Sequence, residues 1–251
     1  MRAIVRIFSG PKPPSNSNGP MRLFLISFWL ALGIQLNFGG DITGTVHAEP
    51  KAGTENSAAT DGPYASRKYK FAQRVDYAAM RNFIVYIDGL AVTNSAPGTN
   101  TMEVTTMKVA QHGAVFSPHV LPVMAGTKVE WPNNDDIYHN VFSDSDAKRF
   151  DVDLYKGNPP DKFVVFDQPG RVDVFCSIHA DMHCVVLVMS NPYFATTDAA
   201  GHYTITNVPA GTYKLTAWHE RIPTDIQEVI VPTNGVVNAN FTLTIKNLPK
   251  Y

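Results

Sequence analysis

Short runs rich in apolar, β-branched and aromatic residues recur along the chain, and apolar positions with helical spacing are nearly absent. Turn signals such as "AG" at 125–126 and "PG" at 169–170 separate the runs. Many short strands bounded by turns predict β-sandwiches, so we expect an all-β chain. The runs cover residues 83–89, 127–131, 162–167, 171–176, 184–189, 202–208, 212–218 and 227–232.

The composition fits an all-β chain and gives no support to one class of function, nucleic-acid binding. The 251 residues, 44% of them hydrophobic, suffice for one large or two small domains with buried cores. The 18 prolines and 17 glycines suit a chain with many turns, and residues 49–66 and 93–101 have the composition of exposed loops. The net charge of -1 and the lack of a long basic run give no sign of nucleic-acid binding.

The first 33 residues have the character of an export signal. They contain four basic residues and no acidic one, and the run from Leu23 to Leu32 is almost entirely apolar. A run of this length is too short to span a bilayer, so we expect no membrane span in the mature chain. We interpret residues 1–40 as an N-terminal extension and signal peptide and predict a periplasmic or secreted protein, although a buried strand or helix is an alternative.

The sequence "FCSIHADMHC" at 175–184 concentrates metal-binding side chains. Cys176, His179 and Met182 lie on this segment, and His139 lies upstream in "WPNNDDIYHNVFS". Two imidazoles, a thiolate and a weak thioether suit copper that cycles between Cu(I) and Cu(II). Because the chain has only two cysteines and carries an export signal, a disulfide between Cys176 and Cys184 is the main alternative.

Residues 103–190 resemble the cupredoxins, the type 1 blue copper family, through this C-x-x-H-x-x-M loop and the "HNV" segment at 139–141. The short ligand loop is similar to that of amicyanin. The resemblance implies a β-sandwich with one type 1 copper, and it implies that the Asn140 side chain ties the two ligand loops together. The four copper ligands implied are His139, Cys176, His179 and Met182.

The two residues that follow the implied axial methionine, His183 and Cys184, differ from the pattern expected for this loop. His183 follows Met182 directly and is an alternative axial ligand, while Cys184 is expected to be a buried free thiol. A dinuclear copper site would use both cysteines, but it spaces them closer together.

The segment "TTDAAGHYTITNVPAGTYKLTAWH" at 196–219 resembles the carboxypeptidase regulatory-like family, a small transthyretin-like or Ig-like β-sandwich. In that family an opening strand like "DITGTV" at 41–46 and an apolar strand like "NFIVYIDG" at 82–89 precede the hairpin, which here comes about a hundred residues later. We therefore expect a second sandwich that is inserted into the first or packed beside it. The motifs together resemble bacterial exported plastocyanin-like proteins that are sometimes labelled methylamine utilisation proteins. The expected divisions are 41–102 for the first regulatory-like strands, 103–190 for the cupredoxin domain and 191–251 for the remaining regulatory-like strands.

The resemblance implies an exported carrier of single electrons, not an enzyme, with protein redox partners such as a c-type cytochrome or a dehydrogenase. Alternatives are a copper delivery protein and a surface- or carbohydrate-binding module with a structural copper site. The aromatic candidates for such a module are Trp218, Tyr193 and Tyr203.

The polar residues near these motifs are expected to be exposed. We interpret the four aspartates that flank the first histidine loop as a solvated acidic rim, with docking of a basic partner as the alternative. They are Asp135, Asp136, Asp144 and Asp146. His202 and His219 are expected to be exposed, and His119 is interpreted as a structural hydrogen-bond donor.

Overall fold

The computed structural model describes residue 10 and residues 39–50, 76–89 and 105–244. The predicted signal peptide and the predicted loop at 93–101 lie outside these residues, apart from residues 10, 39 and 40. Within them every regular element is a strand, and none of the described segments forms a helix with the length and apolar character needed to cross a membrane.

Eighteen strands follow one another along the described chain. They are β1 (Gly39–Glu49), β2 (Ile84–Ile87), β3 (Thr106–Lys108), β4 (Ala110–His112), β5 (Val115–Ser117), β6 (Val120–Met124), β7 (Thr127–Glu130), β8 (Phe142–Ser145), β9 (Lys148–Asp151), β10 (Phe163–Phe166), β11 (Gly170–Phe175), β12 (His183–Met189), β13 (Phe194–Thr196), β14 (His202–Pro209), β15 (Gly211–His219), β16 (Ile222–Val231), β17 (Val236–Asn238) and β18 (Phe241–Thr244).

Strands β3 to β12 form the first sandwich, which lies in the segment with the expected cupredoxin resemblance and is called the cupredoxin sandwich below. Its larger sheet has the order β6-β12-β11-β8-β9, its smaller sheet has the order β10-β7-β3, and β4 and β5 form a separate hairpin. Alternate residues of a strand point to opposite faces, so β7 buries Thr127 and Val129 and leaves Lys128 and Glu130 partly exposed. The core of this sandwich contains the fully buried rings of Trp131, Phe116 and Phe166.

Strands β1, β2 and β13 to β18 form the second, regulatory-like sandwich. Strand β1 pairs with β14, β17 and β18, while β2 lies between β13 and β15 in the other sheet. The two strands that precede the cupredoxin sandwich in sequence therefore pair with strands that follow it. Gly44 on β1 has no room for a side chain, because a Cβ there would lie 1.8 Å from the carbonyl oxygen of Ala239.

Strand β12 explains how the two sandwiches join, since almost all of it is buried on both faces. Cys184, Val186 and Val188 face the cupredoxin core, whereas the alternate residues Val185, Leu187 and Met189 face a third apolar cluster. That cluster also contains Ile84 and Trp218 from the second sandwich. An uninterrupted apolar run is what a strand needs when it is covered on both sides.

Each of the eight predicted runs contains a strand, and the all-β prediction is correct. The sequence pattern missed most strands of three to five residues, because such strands are too short to show a clear alternation. Strand β6 was not predicted because it contains Pro122. The strand tolerates this proline because it lies at the edge of its sheet. The other missed strands are β3, β4, β5, β8, β9, β13, β17 and β18.

Candidate metal centre

His139 is held rigidly in the loop that leads into β8. Its side chain is fully buried. Its backbone exchanges two hydrogen bonds with Tyr155: His139 donates to the Tyr155 carbonyl over 3.0 Å and accepts from the Tyr155 N–H over 2.9 Å. This pairing fixes the backbone position from which the imidazole side chain extends, although His139 belongs to no regular strand.

The second group of candidate ligands lies on the short loop between β11 and β12. These strands pair up to the base of the loop, where Phe175 lies opposite His183. Inside the loop, the Cys176 N–H donates to the Met182 carbonyl over 3.3 Å, and the Met182 N–H donates to the His179 carbonyl over 3.1 Å. The loop is therefore a closed turn on a paired scaffold, and hydrogen bonds within it hold its backbone.

The two loops bring three metal-binding side chains together. The ligand atoms of His139, Cys176 and His179 all lie within 4.8 Å of one another. His139 Nδ1 lies 3.0 Å from His179 Nδ1, and Cys176 Sγ lies 3.6 Å from that same His179 nitrogen. Imidazole nitrogens bind metals such as zinc at about 2.0–2.1 Å, so two on one ion lie roughly 3 Å apart. The donor set and its spacing fit a metal ion, and the soft thiolate favours copper or zinc.

Asp135 orients the buried histidine, a role that the sequence did not reveal. Its Oδ2 atom accepts a hydrogen bond from His139 Nε2 over 2.8 Å, which leaves Nδ1 as the unprotonated nitrogen that faces Cys176 and His179. Metal-binding histidines commonly donate their other N–H to a carboxylate in this way. The interpretation of Asp135 as part of a solvated rim is wrong, since its side chain is only 11% exposed.

The charge of Asp135 is stabilised by the loop around it. Its carboxylate accepts hydrogen bonds from the backbone N–H groups of Ala114 and Gly113, over 2.9 and 2.6 Å. The hydrogen bond from Ala114, together with those from His139 and Gly113, outweighs the effect of burial and lowers the pKa of Asp135 to about 2. Asp135 therefore remains a carboxylate across the physiological pH range.

Asn140 links the two loops, as the family resemblance implied. Its side-chain oxygen accepts a hydrogen bond from the Ser177 N–H over 2.7 Å, and its side-chain amide donates to Asp151 over 2.8 Å. The Asn140 backbone N–H lies 3.5 Å from Cys176 Sγ and donates to it. Hydrogen bonding around a metal-binding sulfur is one of the ways in which proteins adjust a copper site.

Two family models match the sequence of this chain. Residues 103–189 match the copper-binding proteins of the plastocyanin/azurin family, and residues 185–244 match the carboxypeptidase regulatory-like domain. Each model covers less than half of the chain, so the similarity to copper-binding proteins holds for residues 103–189. All four predicted ligands lie inside the matched segment.

Several solved structures are similar to part of this chain. A copper-containing nitrite reductase from Thermus scotoductus SA-01 is 26% identical over 38% of this chain with a TM-score of 0.33, and the match spans only 25% of that enzyme. A purple cupredoxin from Nitrosopumilus maritimus is 25% identical over 34% of this chain and 99% of its own, with a TM-score of 0.29. An oxidised amicyanin variant is 20% identical over 33% of this chain and 81% of its own, with a TM-score of 0.30. No curated protein matches the sequence of this chain.

Cys176 and Cys184, the two cysteines of the chain, are free thiols, so the structure does not contain the disulfide that was the main alternative. Cys184 is a buried residue of β12 opposite Val174, as expected. Burial raises the pKa of the Cys184 thiol, and the nearby charge of Asp173 raises it further. Cys184 therefore stays protonated and serves as a core side chain, while Cys176 lies at the candidate metal centre.

The predicted exposure of the other polar residues is right for some of them and wrong for others. Asp136 and Asp146 are almost fully exposed and form ion pairs with Lys156 and Arg149, so these two do belong to a solvated rim. The prediction that His219 is exposed is wrong: the residue is 7% exposed, and burial lowers its pKa. The register of β15 shifts beside His219, and the sequence carried no signal for that irregularity.

The aromatic residues of the second sandwich offer little binding surface. Trp218 and Tyr203 are buried, the first in the junction between the sandwiches and the second in the regulatory-like core. Tyr193 is partly buried against the same core. These side chains stabilise the fold and do not form an exposed platform for a carbohydrate.

Proposed function

We propose that this chain is a mononuclear type 1 copper protein that carries single electrons between protein partners. The observation that supports this most directly is the convergence of His139, Cys176 and His179 from two loops inside the segment that matches the plastocyanin/azurin family. Met182 is the proposed fourth, axial ligand, because it lies on the same loop and is buried in the same core cluster as Cys176. A copper ion held by these residues would supply one-electron chemistry.

The surrounding residues keep the donors in one arrangement. Asp135 fixes the tautomer of His139, and Asn140 ties the histidine loop to the cysteine loop. Electron exchange is fast when the ligands need not move between the two oxidation states. Donors fixed by hydrogen bonds from outside the site meet that requirement.

The surface around the proposed centre suits brief contacts with another protein. His179 is the partly exposed member of the cluster, and its neighbour Ile178 is 50% exposed. Tyr138, next to His139, is 58% exposed. Exposed apolar side chains that lie beside a redox centre favour an encounter with a partner of similar character. We propose a c-type cytochrome or a dehydrogenase as that partner, in the periplasm or outside the cell, and no catalytic activity of the chain itself.

The proposed domain division follows the strand pairing. Residues 103–190 would be the copper-binding domain, inserted between two parts of the regulatory-like sandwich at 41–102 and 191–251. The pairing of β1 with β14 and of β2 with β15 supports this division.

Electron transfer from the reduced, copper-loaded protein to a c-type cytochrome, followed by stopped-flow absorption, tests the carrier function. Ile178→Glu should slow the transfer at least about tenfold and change the reduction potential by less than about 20 mV, because it places an exposed charge in the contact surface. Ile226→Glu, at a residue of β16 with 55% exposure, is the matched control and should not slow it.

A delivery protein would behave differently. It would release its copper to a chelator or a receiving protein within repeated oxidation and reduction cycles, whereas the proposed carrier keeps one copper per chain throughout. Loss of copper on each cycle would reject the carrier function and favour delivery.

A further inference from the structure

A second group of metal-binding side chains lies where the two sandwiches meet. His119 directly precedes β6, His183 opens β12, and Glu220 lies in the turn between β15 and β16. One ring nitrogen of each histidine and one carboxylate oxygen of Glu220 lie within 4.8 Å of one another. The cupredoxin sandwich thus contributes the two imidazoles, and the regulatory-like sandwich contributes the carboxylate.

The hydrogen bonds of His119 show which of its nitrogens is available. Its Nδ1 atom lies 3.1 Å from the carbonyl oxygen of His183, which can only accept, so Nδ1 carries a proton. The other nitrogen, Nε2, lies 2.9 Å from both carboxylate oxygens of Glu220. A neutral His119 would place a lone pair against a carboxylate, so this contact requires a cation, which is either a second proton on the ring or a metal ion.

His183 has the support that metal-binding histidines usually have. Its Nε2 atom lies 3.0 Å from Asp173 Oδ1 and donates to it, which leaves Nδ1 unprotonated. Asp173 is itself fixed by Arg171, whose guanidinium donates to it over 2.8 and 2.6 Å. A carboxylate behind the imidazole orients the ring and strengthens its other nitrogen as a ligand.

We propose that His119, His183 and Glu220 form a binding site for a divalent transition metal of the zinc type, which joins the two sandwiches. Two imidazoles and one carboxylate are a known ligand set for zinc, with a water molecule in the fourth position. Ligand atoms 2.9 Å apart, as in the contact of His119 with Glu220, can share one ion at about 2.0–2.2 Å from each.

The competing interpretation is an ion pair without a metal. Its hydrogen bond to Glu220 raises the pKa of His119, and the same bond lowers the pKa of Glu220. Both shifts reflect one mutual interaction, in which a positive charge on His119 and a negative charge on Glu220 stabilise each other. A metal ion bound between the two side chains supplies that positive charge in place of the proton. Metal binding distinguishes the two interpretations, since a simple ion pair takes up no zinc.

Zinc binding to the full chain with copper already bound is the direct test. Isothermal titration and metal analysis after dialysis should find one Zn²⁺ per chain in addition to the copper, and zinc should raise the unfolding temperature. His119→Ala and Glu220→Gln should each weaken zinc binding at least about tenfold and remove the thermal effect. His202→Ala is the control, because His202 is an exposed histidine beside Asp198 in the regulatory-like sandwich and should leave zinc binding unchanged.

A chain that lacks the proposed copper ligands separates this inference from the proposed function. The double variant His139→Ala and Cys176→Ala should lose copper but still bind one Zn²⁺ through the second cluster. Zinc binding that is absent from the wild-type chain, or that survives unchanged in both His119→Ala and Glu220→Gln, would overturn the second site whatever the outcome for copper.

Discussion

Replacing Asp135 with asparagine should weaken the hold of the protein on Cu(II) and raise its reduction potential. The carboxylate accepts a hydrogen bond from His139 over 2.8 Å, and its charge increases the donor strength of the imidazole on the opposite nitrogen. Cu(II) depends on that donor strength more than Cu(I) does. Asparagine also has an NH2 group in place of one carboxylate oxygen, and this group donates a hydrogen bond instead of accepting one. Because Ala114, Gly113 and His139 all donate to this side chain, the NH2 group would face a donor and a hydrogen bond would be lost.

The size of the change in reduction potential can be worked out from the contribution that carboxylate partners make to metal-binding histidines in other proteins. Loss of a carboxylate behind a metal-binding histidine typically costs about 10- to 100-fold in metal affinity. If the loss falls on Cu(II) alone, each factor of ten raises the potential of a one-electron couple by about 59 mV. The expected shift is therefore about 60 to 120 mV, toward the upper end because His139 is fully buried and its N–H has no water to replace the carboxylate.

Cyclic voltammetry measures the potential, and competition with a chelator measures the Cu(II) affinity. Asp136→Asn is a matched control: it removes the same charge at the next residue, but Asp136 is 98% exposed and pairs with Lys156. Salt and water screen such an exposed charge, so the control should shift the potential by less than about 20 mV. Equal shifts in the two variants would mean that only net charge matters and would refute the orienting role of Asp135.

Three further predictions concern the ligand loop and the second sandwich. Cys176→Ala should abolish the visible absorption of the Cu(II) protein, while Cys184→Ala should leave it nearly intact; the opposite result would show that the thiolate is assigned to the wrong cysteine. Met182→Leu should raise the potential with copper retained, because it removes a weak axial donor, and a larger shift from His183→Ala would transfer the axial position to His183. Gly44→Ala should lower the free energy of urea unfolding by about 1–3 kcal/mol or more, since its Cβ would meet the Ala239 carbonyl oxygen at 1.8 Å; a loss below about 0.5 kcal/mol would contradict the packing of β1.

The sequence was informative where the chemistry lies on one short segment. Cys176, His179 and Met182 could be proposed from their types and spacing, because a loop between two paired strands keeps neighbours in sequence close in space. His139 was a candidate from its residue type alone, because it lies 37 positions before Cys176 and no spacing connects the two, and the family resemblance then implied it as a ligand. The pairing of β1 and β2 with strands more than a hundred residues away likewise rested on resemblance and not on periodicity.

The features that the sequence missed depend on tertiary packing. Asp135 and Asp136 are adjacent and identical in type, yet one is buried against His139 and the other points into solvent. The cluster of His119, His183 and Glu220 draws on three segments that meet only when the sandwiches pack together, so no spacing could reveal it. His219 was expected to be exposed because it lies in the regulatory-like hairpin, but the irregular register there coincides with a buried side chain.

The central claim, a type 1 copper site built on Cys176, is tested most directly by optical and EPR spectra of the purified protein loaded with one equivalent of Cu(II). The account predicts an intense visible thiolate-to-copper absorption that disappears in Cys176→Ala, from a protein that holds one copper per chain. A colourless Cu(II) protein, or a chain that binds zinc and excludes copper at His139, Cys176 and His179, would contradict it.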